Sequence, residues 1–194
     1  MPAITPDSLL TLEAYAKERN DFRARVMAHK QTRIVHIGAH ITLIFEDELT
    51  IRYQVQEMLR VERIFEEAGI HEELQAYNPL IPDGRNWKAT MMIEYPDVEE
   101  RKRKLGELVG IEDRIWVQVA GAARVYAIAD EDLERATDEK TSAVHFLRFE
   151  LDRNMIGALR DGAALAMGAD HPHCQEAVDV DAAVRASLLN DLTV

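Results

Sequence analysis

The stretch Tyr53–Glu67, YQVQEMLRVERIFEE, limits the possible folds of this chain more than any other. Stepping about 100° per residue places Val55, Met58, Leu59, Val61 and Phe65 within about 80° of Ile51, one apolar face of a helix. Leu49, Tyr53 and Ile64 gather on the opposite side, with Arg60 and Glu67 among them. A helix that is apolar on two sides belongs between two layers, because both faces have to be covered. The charges then sort themselves. Arg52 and Arg63 lie between the faces, whereas Glu62 falls about 20° from the centre of the first. Burying an unpaired carboxylate is costly, so Glu62 is expected to be paired with an arginine such as Arg148 or Arg23, protonated, or bound to a metal.

The rest of the chain reads as an α+β domain: a mostly antiparallel sheet packed with this long central helix, plus an N-terminal helical arm and a C-terminal helix. The arm covers 1–32, the core 33–172 and the tail 173–194 of a single domain. Thr5, Pro6 and Asp7 mark a helix start, and a second helical stretch begins near Asn20. RIVHIGAHITLIFED reads as a β-hairpin about Gly38-Ala39 or as one bent strand broken at the glycine, and the long helix follows over 48–68. A shorter helix covers 71–77, and NPLIPDGRN carries turn chemistry. Strands are expected at 87–95, 114–120, 123–129 and 142–151, with helices over 98–110, begun by Asp97, and after Asp152. DEDLER is read as a helical turn, GAALAMGA as a last strand, and QEAVDVDAAVRASLLNDL as an amphipathic helix.

Composition narrows the function classes. The 194 residues carry a net charge of -12, which repels phosphate backbones and anionic lipid, so neither nucleic acid nor membrane is expected as a partner. A single cysteine, Cys174, rules out an intramolecular disulfide and a four-thiolate iron–sulphur cluster within one chain. The start lacks a basic n-region and a long apolar run, and AALAMGA is too short to span a bilayer, so a cytoplasmic location is expected. No Walker A loop, G-x-G-x-x-G, G-x-S-x-G, H-E-x-x-H or Glu-x-x-His pair is present.

Three further features bear on chemistry. In SAVHFLRFEL, His145, Leu147 and Phe149 alternate with Val144, Phe146 and Arg148, so both faces of a central strand look half-buried. His145 is then either a core histidine bonded to a carbonyl, or a metal ligand or proton relay. Arg148 faces the other way and is placed to clamp a carboxylate of the long helix. GADHPHCQ packs Asp170, His171, His173 and Cys174 together, all types that bind zinc or iron, but no paired motif completes a site. Capping side chains in a loop explain the same letters. The run Arg101–Lys104 forms i,i+4 pairs with Glu99 and Glu100, as on a solvated helix face.

The strings ITPDSLL, FRARVMAHK, HITLIFEDELTIRYQVQEMLRVERIFE, AYNPLIPDGRN, KATMMIEYPDVEER, VYAIADEDLER, KTSAVHFLRFEL and DHP resemble the family called domain of unknown function 3501, over roughly 4–172. The resemblance implies no reaction and no catalytic residue. It implies a genomic setting beside rubrerythrin and an iron–sulphur oxidoreductase, hence iron or peroxide redox physiology. DHP belongs to the pattern, which favours His171 over His173 and Cys174.

Three readings follow. The first is an accessory protein that binds a partner, such as rubrerythrin or an iron–sulphur oxidoreductase, through an acidic surface or the helical arm. The second is an enzyme that binds a metal or a small anion. In it Glu62, His145 and His171 converge on iron or zinc, and Arg148 or Arg63 holds an anionic group. The third is a homo-oligomer, a dimer in which the polar helix contributes an internal ion-pair network.

Overall fold

The computed structural model describes residues 3–129 and 140–193. DEDLER lies outside the described residues. The α+β expectation holds, and the strands form two antiparallel sheets. A short 3-10 turn at Pro6–Ser8 precedes α1 (Leu12–Lys30), so one helix occupies the place of the two expected in the arm. β1 (Ile34–Ile37) and β2 (Ile41–Glu46) form the expected hairpin, with Gly38 supplying the positive φ of 61° at its turn. Next come α2 (Glu48–Glu62), α3 (Glu67–Tyr77), β3 (Asn86–Ile93) and α4 (Val98–Glu107). The last part holds β4 (Ile115–Val119), β5 (Val125–Tyr126), β6 (Ile128–Ala129), β7 (Val144–Glu150), α5 (Arg153–Arg160), β8 (Leu165–His171), β9 (Cys174–Asp179) and α6 (Ala182–Leu189).

One sheet runs β1-β2-β3-β7-β6 and the other β5-β4-β8-β9. The segment 125–129 staples them, because β5 pairs with β4 while β6 pairs with β7. Strand alternation sends Leu43, Phe45, Trp87, Met91, Leu147 and Phe149 from the first sheet into a core shared with Ile115, Val117, Leu165 and Met167 of the second. Helices α5 and α6 close that core with Ile156, Leu159, Val184 and Leu188. Trp87 donates its indole N–H to the Leu188 carbonyl at 2.9 Å and so ties the central strand to α6.

The two-faced helix is covered on both sides, as its pattern requires. Ile51, Val55 and Leu59 of α2 pack with Leu74 of α3, with Ile81 and with Ile4. On the other side, Leu49 and Tyr53 meet Tyr15, Phe22 and Val26 of α1. Asp47 caps α2 by accepting from the Thr50 amide, and Thr50 Oγ1 accepts from the Asp47 amide in return.

Three expectations are corrected. The long helix stops at Glu62 rather than running to 68, because Arg63 turns left-handed with φ 55°. The tail begins as strand β9, not as helix, and GADHPHCQ is the end of β8 with a hairpin turn into β9. In the basic run of α4, Arg103 and Lys104 pair forward with Glu107, whereas Lys102 pairs back with Glu99.

Candidate functional site

The residues expected to converge do not. Glu62 is exposed at the last position of α2. The wheel places it inside, but the layer covering that face ends near Leu59, so Val61, Glu62 and Phe65 beyond it stand in solvent. His145 is buried on the core face of β7, where Nε2 lies 2.8 Å from Thr141 Oγ1 and 3.0 Å from the Ser142 carbonyl. Thr141 in turn donates to Glu112 at 3.2 Å. His171 is buried at the end of β8, with Nε2 3.1 Å from the Val109 carbonyl and Nδ1 accepting from the His173 amide at 3.2 Å. Both of its ring nitrogens are thus taken by main chain, a pattern that assigns the proton to Nε2 and leaves no lone pair for a metal. Strand alternation sends Asp170 to the other side, where it accepts from Tyr126 Oη at 3.0 Å. Among the described residues, no group of three or more His, Cys, Asp or Glu side chains is arranged to hold a metal ion.

The two arginines also stand apart. Arg148 lies on the face of β7 opposite His145 and pairs with Glu150 of its own strand, not with a carboxylate of the long helix. Arg63 is exposed at the corner between α2 and α3.

The paired carboxylate of the long helix is Glu57, half-buried and five positions before Glu62. Arg19 of α1 grips it bidentately at 2.7 and 2.8 Å. Tyr15 donates to it at 2.6 Å and Arg60 at 3.2 Å. The Arg19 hydrogen bonds outweigh burial and, with Tyr15 and Arg60, hold the Glu57 carboxyl down from 4.5 to about 2. An unfolded chain therefore binds this proton more readily, so the stabilisation is complete above pH 4.5 and is lost as pH falls through about 2. Glu57→Gln is expected to cost roughly 1.5–3 kcal/mol at neutral pH, the worth of hydrogen bonds to a charged group. It should also flatten the acid limb of the stability profile, as urea melts across that range would read. An acid limb identical to that of the wild type would refute the assignment.

The exposed end of α2 is the most unusual surface. Val61 is 63% exposed and Phe65 is 73% exposed. Their chain neighbours Glu62, Arg63, Glu66 and Glu67 are exposed as well. Arg63 is the one non-glycine residue with positive φ among the described residues, in a region that costs L-residues of order 1–3 kcal/mol. A methyl at Gly69 would come within 2.7 Å of Ile64 Cγ2, so a glycine is what lets the next helix pass this close to the corner. The backbone is thus bent, at a cost, into a shape that presents Phe65 outward while Ile64 turns inward against the α2–α3 core. Periodicity had counted Val61 and Phe65 as core. The signal that marks the corner is the end of the covering layer, which no local pattern carries.

Fold and corner together define a class: a two-sheet antiparallel α+β protein whose helical layer ends in an exposed aromatic knob. The chain belongs to the family described as "Protein of unknown function (DUF3501)", whose match runs over residues 3–192 and so extends through the tail. It is similar to a solved structure, that of a novel protein of unknown function from Burkholderia pseudomallei K96243. The two share 58% identity over 99% of this chain and 100% of that one, with a TM-score of 0.94. No curated protein matches it. No helix among the described residues is long and apolar enough to cross a membrane.

Proposed function

We propose that this protein is an accessory, partner-binding protein, and that the α2–α3 corner is where the partner docks. The observation that carries the reading is Phe65, a large aromatic side chain 73% exposed on a backbone turn held by a left-handed arginine. Exposed aromatics in well-defined positions are the side chains that anchor interfaces. The exposed Glu62, Glu66 and Glu67 beside Phe65 in the chain fit an apolar socket with a basic rim, and the net charge of -12 would steer such a partner in. The partner class comes from the family resemblance: rubrerythrin or an iron–sulphur oxidoreductase of an iron or peroxide stress system.

Titrating the purified protein against each of these two partners tests the reading. A complex should form, and Phe65→Ala should weaken it by at least about thirtyfold, the loss of a hot-spot side chain. Val61→Ala should weaken it less. Both positions are exposed, so the variants should keep the wild-type melting temperature. If neither partner binds, the redox assignment is wrong. Binding that ignores the Phe65 change would remove the corner.

The enzyme reading loses its carboxylate–histidine centre, because Glu62, His145 and His171 are each engaged elsewhere or exposed. Arg148 of that reading lines a groove together with Glu46 and Lys88. For the dimer reading, the ion-pair networks at Glu57 and Arg33 lie within a single chain.

A further inference from the structure

The outer face of the five-stranded sheet carries a charged row in register. Glu46 of β2 stands opposite Lys88 of β3, and Lys88 opposite Arg148 of β7. Two residues along the same face lie Thr90 and Phe146. Pro79 and Leu80, which follow α3, roof the row, and Ile128 closes its far side. The space enclosed is about 320 Å³, at the small end of ligand sites.

The charges here are unevenly satisfied. Glu46 is 4% exposed. Its Oε1 accepts from Thr90 Oγ1 at 2.7 Å, but its buried Oε2 has no hydrogen-bond partner. A carboxylate oxygen out of water without a donor is costly, and native proteins rarely leave one so. That oxygen has almost no accessible surface, so a ligand in the groove meets it by a swing about the soft terminal torsion of the glutamate. Opposite it, Arg148 engages Glu150 through Nη1 alone and keeps its other N–H donors on a planar fork suited to a carboxylate. Lys88 adds positive charge between them, anchored on the Pro79 carbonyl. Glu46 and Arg148 are two strand spacings apart, about 10 Å between backbones, and both line the groove.

We propose that this groove binds a small zwitterion of the amino-acid type. The ammonium donates to Glu46 Oε2, the carboxylate accepts from the Arg148 guanidinium, and an aliphatic side chain lies against Leu80, Ile128 and Phe146. A simple anion would leave Glu46 unsatisfied, and a simple amine would leave the arginine unused. The proposal does not depend on the partner reading, since the groove uses none of the corner residues.

Calorimetric titration of the full chain with L-leucine, with 4-methylpentanoate (no ammonium) and with 3-methylbutylamine (no carboxylate) tests it. L-leucine should bind, and each half-ligand should bind at least about tenfold more weakly. Arg148→Met and Glu46→Gln should each weaken L-leucine by about the same factor. Arg148 has a side chain 41% exposed, so its variant should retain the wild-type melting temperature and keeps the test decisive even if the buried Glu46 variant misfolds. No heat with L-leucine at millimolar concentration would overturn the proposal. So would equal affinity for 4-methylpentanoate, or an Arg148→Met protein that binds as the wild type does.

Discussion

Arg33→Ala should lower the unfolding free energy by about 3–5 kcal/mol, the cost of removing one partner from a buried ion pair. For a domain of this size that is roughly a 10 °C fall in Tm. Arg33 is 1% exposed and sits where the helical arm, the first hairpin and the tail meet. Its Nε donates to the Phe45 carbonyl at 2.9 Å and its Nη2 to the Glu46 carbonyl at 3.1 Å. Nη2 also reaches Asp191 at 2.5 Å, and Nη1 lies 3.5 Å from Asp47, the cap of α2. His29 meets the same Asp47 at 2.5 Å. Truncating Arg33 leaves two buried carboxylates close together and removes a donor from two carbonyls.

The loss should also depend on pH. Burial, opposed by Arg33 and reinforced by Asp47, pushes the Asp191 carboxyl up from 3.8 to about 6. Its raised folded value means that its contribution is present below 3.8 and is lost as pH rises through about 6. Without Arg33 the carboxylate form is still less favoured in the fold, so the deficit of the variant should widen above pH 6. Urea melts on either side of that pH read both effects. A deficit below about 1 kcal/mol at all pH values would mean that the network carries no buried charge. Pairing Arg33→Met with Asp191→Leu should recover much of the loss, since a buried ion pair is often replaceable by apolar side chains.

Gly168→Leu should cost at least about 3 kcal/mol, beyond ordinary overpacking. A Cβ at this position would lie 2.4 Å from the Glu176 carbonyl oxygen and 2.4 Å from Trp116 Cζ2. The first is backbone of the paired strand β9, so it cannot swing away. The second belongs to a ring laid flat across the glycine and held from above by Arg124, whose Cζ is 4.1 Å from the ring centre. Arg124 is tethered in turn by Asp170 at 3.6 Å. Even Gly168→Ala has to displace one of these, so it should lower Tm measurably while Gly157→Ala, which meets nothing within 4 Å, should not. Equal melting temperatures for Gly168→Ala and the wild type would refute the close approach.

Much of the scaffold was legible from local pattern. Alternation in SAVHFLRFEL put His145, Leu147 and Phe149 on one side of a strand, and that side is the core. Asp97 and Asp152 cap the helices they were expected to start, each accepting from an amide three residues on at 2.8 Å. The two apolar faces of α2 each found a cover. These features depend on interactions a few residues long, whose free energies are set by the chain itself.

The position of the polar site was not legible, for a different reason. A helical wheel assumes that the covering layer runs the length of the helix. Here it ends at Leu59, which turns Glu62 and Phe65 outward and leaves Glu57 as the paired carboxylate, although the wheel puts Glu57 about 120° from the centre of the first face. Arg33 stands between a helix and a strand with no local signal of burial, and its burial depends on Asp191, 158 positions away. The Glu46–Lys88–Arg148 row likewise exists only through the register of three strands. By itself, then, the sequence determined which segments are helix or strand and which of their faces are apolar, because those preferences are local. Which charges are buried, which apolar side chains are left in water and which residues share a groove were decided by tertiary structure. Burial is a property of what packs on top, and that is settled only when distant elements meet.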